Sequence, residues 1–239
     1  MIIHALSATV TMADVRTHGA RGVVIEVGNG STLRAVNCAF SEFVFPFCLT
    51  ESTATFEDCD WLYSERSAGP IAGTIYESMN PALRPPCPTD VRQGHIINGN
   101  ITFNRCKFQS GIAQSGYDPT TGQVSVFTAI SSCARAKLAL TACTISGFDT
   151  AIELQDSFTE AVVKSSKIME CGLAFHAELN SEVVVTDCDL IVNEVLQLTV
   201  NVKGKAIFEG NSVQQSTRQF VNLGLITLDK HQRGKASSF

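Results

Sequence analysis

Apolar and polar residues alternate with a period of two over short runs along most of the chain, and the runs repeat. The pattern apolar, any, apolar, any, small or polar, Cys, any, apolar is read at LRAVNCAF (33–40), ATFEDCDW (54–61), ITFNRCKF (101–108) and LALTACTI (138–145). It returns at AVVKSSKI (161–168), VVVTDCDL (183–190) and AIFEGNSV (206–213). A second alternating run lies upstream of it, as in GVVIEVGNGS (22–31), FVFPFCLTES (43–52), TAIELQDSFT (150–159), GLAFHAELNS (172–181) and EVLQLTVNVKG (194–204). Alternation that ends in Gly, Asn, Asp or Ser predicts a strand followed by a turn. Each unit is therefore two or three short strands joined by tight turns, with no helix-length amphipathic segment. A unit that small cannot bury its apolar face alone, whereas stacked units bury a continuous core.

Stacked coils of this length resemble the right-handed parallel β-helix of the pectate-lyase-like superfamily, a fold also seen in phage tailspikes and other virion proteins. The predicted fold is all-β: one solenoid domain over residues 1–239, of about seven or eight coils. The first twenty residues form a capping coil, and residues 229–239 are a polar tail. Handedness is implied by the resemblance. In such a stack parallel strands lie ~4.8 Å apart and equivalent side chains form columns.

The sixth position of the repeat carries Cys38, Cys59, Cys106, Cys143, Ser166, Cys188 and Asn211, at intervals of 21, 47, 37, 23, 22 and 23 residues. The two long, adjacent intervals predict insertions at about 62–94 and about 109–123, both after the motif strand and so both at one corner of the solenoid. All three tyrosines, Tyr63, Tyr76 and Tyr117, lie in them; Trp61 precedes the first, and His95 stands where it rejoins the coil. These five are the predicted partner- or ligand-binding residues, because insertions in solenoids gather on the binding face and aromatic side chains dominate contacts. The run FVFPF (43–47) is apolar at both parities, so one set of its side chains calls for a cover, and Pro46 removes a rung hydrogen bond.

Charge and chemistry narrow the function. A net charge of −5 gives no basic footprint for nucleic acid. The N-terminus has no basic leader before its apolar positions and no run of about 18 apolar residues occurs, so the expectation is assembly in the cytoplasm, without a signal peptide or a membrane span. Nine cysteines, an odd number, read as free thiols. Cys38, Cys59, Cys106 and Cys143 fall in one column as a buried thiol ladder. With ~4.8 Å per rung the outer two are ~14 Å apart, too far for all four to hold one tetrahedral metal. Ser166 and Asn211 in the same column show that the position requires a small side chain. No metal or other cofactor is predicted, and the pairs Asp58/Asp60 and Asp187/Asp189 read as turn acids.

The resemblance brings lyases and galacturonases into view, yet the strings N-T-D, D-D and G-H-G of the latter are missing. No catalytic residue is assigned. The expected function is that of a structural, non-enzymatic virion component, such as a capsid decoration (cement) protein or a small spike on the virion surface. Its partners would be a capsid or tail protein, and the resemblance implies a homo-oligomer, a trimer with parallel axes. The alternatives are a carbohydrate-active enzyme, a polysaccharide lyase or glycosidase, and an adhesin-like module that stacks Trp61 and the tyrosines on polysaccharide.

Overall fold

A computed structural model describes residues 3–19, 23–43, 45–63, 94–110, 128–155, 158–177, 180–195, 198–200, 205–217 and 225–228. Every regular element among them is a strand, and every strand pair is parallel. From Ile3 to Thr217 the chain visits three sheets in rotation, which makes it a parallel β-helix, and Leu225–Leu228 adds one more strand to the second sheet. The first sheet stacks Ile3–Leu6, Val23–Gly28, Phe45–Thr50, Gly94–Ile97, Thr128–Cys133, Thr150–Leu154, Leu173–Ala177 and Leu198–Val200. The second stacks Thr9–Ala13, Thr32–Val36, Thr53–Glu57, Asn100–Asn104, Lys137–Thr141, Glu160–Lys164, Glu182–Thr186, Lys205–Glu209 and Leu225–Leu228. The third stacks Arg16–His18, Ala39–Ser41, Asp60–Tyr63, Lys107–Ser110, Thr144–Ser146, Lys167–Met169, Asp189–Val195 and Ser212–Thr217. Residues 3–18 thus supply a strand to each sheet.

The repeat motif spans the second sheet, a corner and the third sheet. Its apolar positions form inward columns, such as Leu33, Ala54, Ile101, Leu138, Ala161 and Val183, all buried. The corner is made by one residue in the left-handed region just before the column position: Asn37, Asp58, Arg105, Ala142, Ser165, Asp187 and Gly210, with φ between 47° and 66°. Asn, Asp and Gly tolerate this conformation best. Asp58 is therefore a turn acid, held by Arg105 one coil on at 2.7 and 2.8 Å. That hydrogen bond keeps its carboxyl below the usual range.

The left-handed residue turns the next N–H away from the rung ladder. Asn37 N still donates to Glu57 O on the following coil, and Asp60 N donates to Cys38 O on the preceding one. The N–H of the column residue is met instead by the column side chain of the coil above: Cys143 N donates to Ser166 Oγ at 3.1 Å, Ser166 N to Cys188 Sγ at 3.4 Å, and Cys188 N to Asn211 Oδ1 at 2.8 Å. Each column side chain also donates to a carbonyl, as Cys143 Sγ does to Thr141 O at 3.4 Å and Phe103 O at 3.3 Å. The position therefore requires a small side chain with a hydrogen-bonding atom, a sharper rule than size alone.

Cys38, Cys59, Cys106 and Cys143 are free and buried. Beside them an aromatic stack fills the centre of the solenoid. Phe40 lies on Trp61 with ring centroids 4.1 Å apart, Trp61 is parallel to Phe108, and Phe56 lies on Phe103 at 4.9 Å. From the run 43–47, Phe43 and Phe47 both join this core, and Phe43 meets the Trp61 and Tyr63 rings edge-on. Pro46 drops out of the ladder, whose register pairs Phe45 and Phe47 with Val23 and Ile25. Val44 and the Phe45 side chain lie outside the described set.

Candidate functional site

The corner between the third and first sheets distinguishes two coils. Among the described residues the connection elsewhere is short, as between Ser146 and Thr150 or Met169 and Leu173. After Tyr63 and again after Ser110 the chain leaves the described residues, returning at Gly94 and Thr128. Tyr63 and Ser110 are register partners, and the returning strands pair as Gly94 with Ile130. Both long connections therefore start and finish side by side. The third-sheet strands extend to Tyr63 and Ser110, just past the expected starts of the insertions, and the expected end of the second insertion near 123 lies outside the described residues.

The candidate binding residues do not converge there. Trp61 is 1% exposed and Tyr63 2%, because both continue the inward parity of the motif strand. The Tyr63 hydroxyl donates to Ala129 O at 2.9 Å, and its ring meets Phe148 edge-on. The expectation that these rings face a partner is corrected: they are core residues. Tyr76 and Tyr117 lie outside the described residues.

His95 has the opposite parity and belongs to the outer face of the first sheet. Strand register places it in a row running Glu26, Cys48, His95, Ser131, Glu153 and His176, one residue per coil. His95 and Ser131 are buried although they point away from the core, and the residues on either side of them in the row are half-buried. Burial lowers the His95 imidazole to a pKa of about 4, so the ring is neutral at physiological pH. Burial raises the Glu26 carboxyl, an effect opposed by the nearby His4. Neither Ser131 Oγ nor Glu26 Oε2 has a hydrogen-bond partner among the described residues.

Sequence reading singled out His95 but missed its companions, which share no motif and lie 22 to 47 residues apart along the chain. Aligning the first-sheet runs by the repeat would have placed them in one row. The row sets a thiol, a neutral imidazole, a hydroxyl and a carboxylate on successive rungs. A nucleophile activated by a base requires a hydrogen bond between the two, and Ser131 makes none with a described residue. Among the described residues no group of three His, Cys, Asp or Glu side chains has the arrangement of a metal site.

No protein-family model, curated protein or solved structure matches the chain.

Proposed function

We propose that this β-helix is a structural protein that docks onto a protein partner through the corner bearing its two long connections. The observation that carries this reading is their coincidence. On a solenoid whose other described corners are tight, segments 64–93 and 111–127 leave from register partners and return to paired strands. Neighbouring insertions on a rigid stack make a composite surface larger than either alone, and such loops gather on the binding face of solenoids. The proposed setting is a virion: a capsid decoration protein or small spike, assembled in the cytoplasm and carried on the particle surface, with a capsid or tail protein as partner.

The test is mass spectrometry of particles purified from cells that express the gene, alongside a version in which residues 64–93 and 111–127 are each replaced by the short turn Gly147–Asp149 of a later coil. The native chain is expected on particles in fixed stoichiometry, and the shortened one, still folded by circular dichroism, only as free protein. A native chain absent from particles would sink the reading.

The outer row of His95, Ser131 and Glu153 favours a second reading, a carbohydrate-active enzyme beside the same corner. Release of unsaturated or reducing ends from a panel of acidic polysaccharides, lost in Glu153→Gln, would establish it. The burial of Trp61 and Tyr63 weighs against the adhesin-like alternative, since neither ring face is open to a sugar.

A further inference from the structure

The outer face of the second sheet changes character along the solenoid. Its middle row runs Thr11, Arg34, Thr55, Thr102, Ala139, Val162, Val184, Ile207 and Thr227 in strict register. The first half is polar, and Arg34 is tied to Glu57 at 2.7 Å. The second half, Ala139 to Ile207, is apolar, half-buried and outward-facing. An aligned column of β-branched side chains on a flat outer face has no role in the core, which the opposite parity already fills.

The row before it is charged and the row after it alternates threonine with charge. Before the apolar row stand Lys137, Glu160, Glu182 and Lys205, joined within the chain as Lys137–Glu160 at 3.3 Å and Lys205–Glu182 at 2.6 Å. After it stand Thr141, Lys164, Thr186 and Glu209. A half-turn about an axis parallel to the solenoid sets the leading row of one copy against the trailing row of the other, rung for rung. Glu160 then meets Lys164 and Lys205 meets Glu209, while Val162, Val184 and Ile207 meet their own equivalents. A half-turn about an axis along the strands sets the leading row against itself reversed, opposing Lys137 to Lys205 and Glu160 to Glu182. With all four rungs overlapping, the charge pattern therefore suits parallel axes over antiparallel ones. A threefold arrangement with parallel axes makes the same leading-to-trailing contact.

We infer that this face is a self-association surface, occupied by a second copy of the chain with its solenoid axis parallel to the first. Four rungs at ~4.8 Å by five residues at ~3.3 Å give an apolar and charged patch of ~14 by 13 Å. That is far below the ~800 Å² per partner of stable complexes, so the contact forms at high local concentration. It uses a different face from the corner of the long connections and stands without the docking role proposed for them.

Sedimentation velocity of the full chain from low micromolar to near-millimolar concentration tests the inference. Wild type is expected to pass from monomer to dimer or trimer, and Val184→Lys to stay monomeric with an unchanged circular dichroism spectrum. Lys164→Glu, which opposes two acids, should weaken association about tenfold, and Glu160→Lys/Lys164→Glu, which exchanges the signs, should restore it. A wild type that stays monomeric throughout, an oligomer that survives Val184→Lys, or a double variant no better than the single one would each overturn the proposal.

Discussion

The backbone N–H of Cys188 donates to Oδ1 of Asn211, 2.8 Å away on the next coil, and the amide of Asn211 donates in turn to Val185 O at 2.9 Å. Ser166 does the same work with one hydroxyl, accepting from Cys143 N and donating to Lys164 O at 2.7 Å. Ser166→Ala strips the buried Cys143 N–H of its acceptor and should lower unfolding stability by about 1–3 kcal/mol. Ser166→Cys, which restores the atom found in neighbouring coils, should stay within about 1 kcal/mol of wild type. Urea unfolding measures both; equal stability of the Ala and Cys variants would show that size alone governs the column.

Thiol chemistry should follow burial. Burial raises Cys38 and Cys188 and pushes Cys171 up to about 11. Cys106, hydrogen-bonded to the thiols of Cys143 and Cys59 and buried, lies well above the ordinary range, while Cys59 and Cys143 are drawn down by the bond to Cys106. Access still limits reaction, since the column thiols are at most 1% exposed. Alkylation of the native protein with mapping by mass spectrometry should label the half-buried Cys48 before any of Cys38, Cys59, Cys106 and Cys143. Rapid labelling of all four would contradict the register.

The solenoid was legible because a stacked fold writes each of its columns into the sequence once per coil. Cys38, Cys59, Cys106 and Cys143 mark one column in the sequence, and that column fixes the strands, the corner and the place of both long connections. Trp61 and Tyr63 stand at the edge of an insertion, which in sequence suggests the surface, but the parity of the motif strand turns both inward. The outer rows were harder to see. Cys48, His95, Ser131 and Glu153 come together only through the register of the first sheet, whose runs vary too much to announce it.

Gly94 has a partner in volume. Phe47, on the neighbouring strand of the first sheet, leans over it so closely that a Cβ on Gly94 would lie 2.2 Å from the Phe47 ring. The ring cannot retreat, because Phe56, Trp61 and Phe103 pack against it. Gly94→Ala should therefore cost about 1–3 kcal/mol, as overpacking does. Gly94→Ala/Phe47→Leu should recover part of that loss, with a coupling of at least about 0.5 kcal/mol in a double-mutant cycle by thermal unfolding. Strict additivity would mean that the two sites do not share the space.

His95 should make the fold sensitive to acid. Its imidazole titrates near 4 in the folded chain against an ordinary value of 6.5. Between those values the unfolded chain binds a proton that the folded chain refuses, so stability falls as the pH drops through this window and no further on this account below it. The shift corresponds to about 3 kcal/mol. His95→Gln removes the titration, so the variant should gain roughly that amount on wild type between pH 7 and pH 4, read from urea midpoints. Parallel pH profiles for the two proteins would show that His95 titrates normally.

Trp61, the only tryptophan, supplies an optical test of where the binding surface is not. Its ring lies between Phe40 and Phe108, and its indole N–H has no hydrogen-bond partner among the described residues. Emission should be blue-shifted, resistant to iodide and unmoved by added oligosaccharides or by a docked partner. Trp61→Ala opens a cavity in the aromatic stack and should cost about 3–5 kcal/mol. Trp61→Phe keeps the stacking and removes a polar group that burial leaves unsatisfied, so its loss should be less than half as large, by the same unfolding measurement. Ready quenching by iodide, or a spectral shift on adding a sugar, would return Trp61 to the surface and reopen the corner as a carbohydrate site.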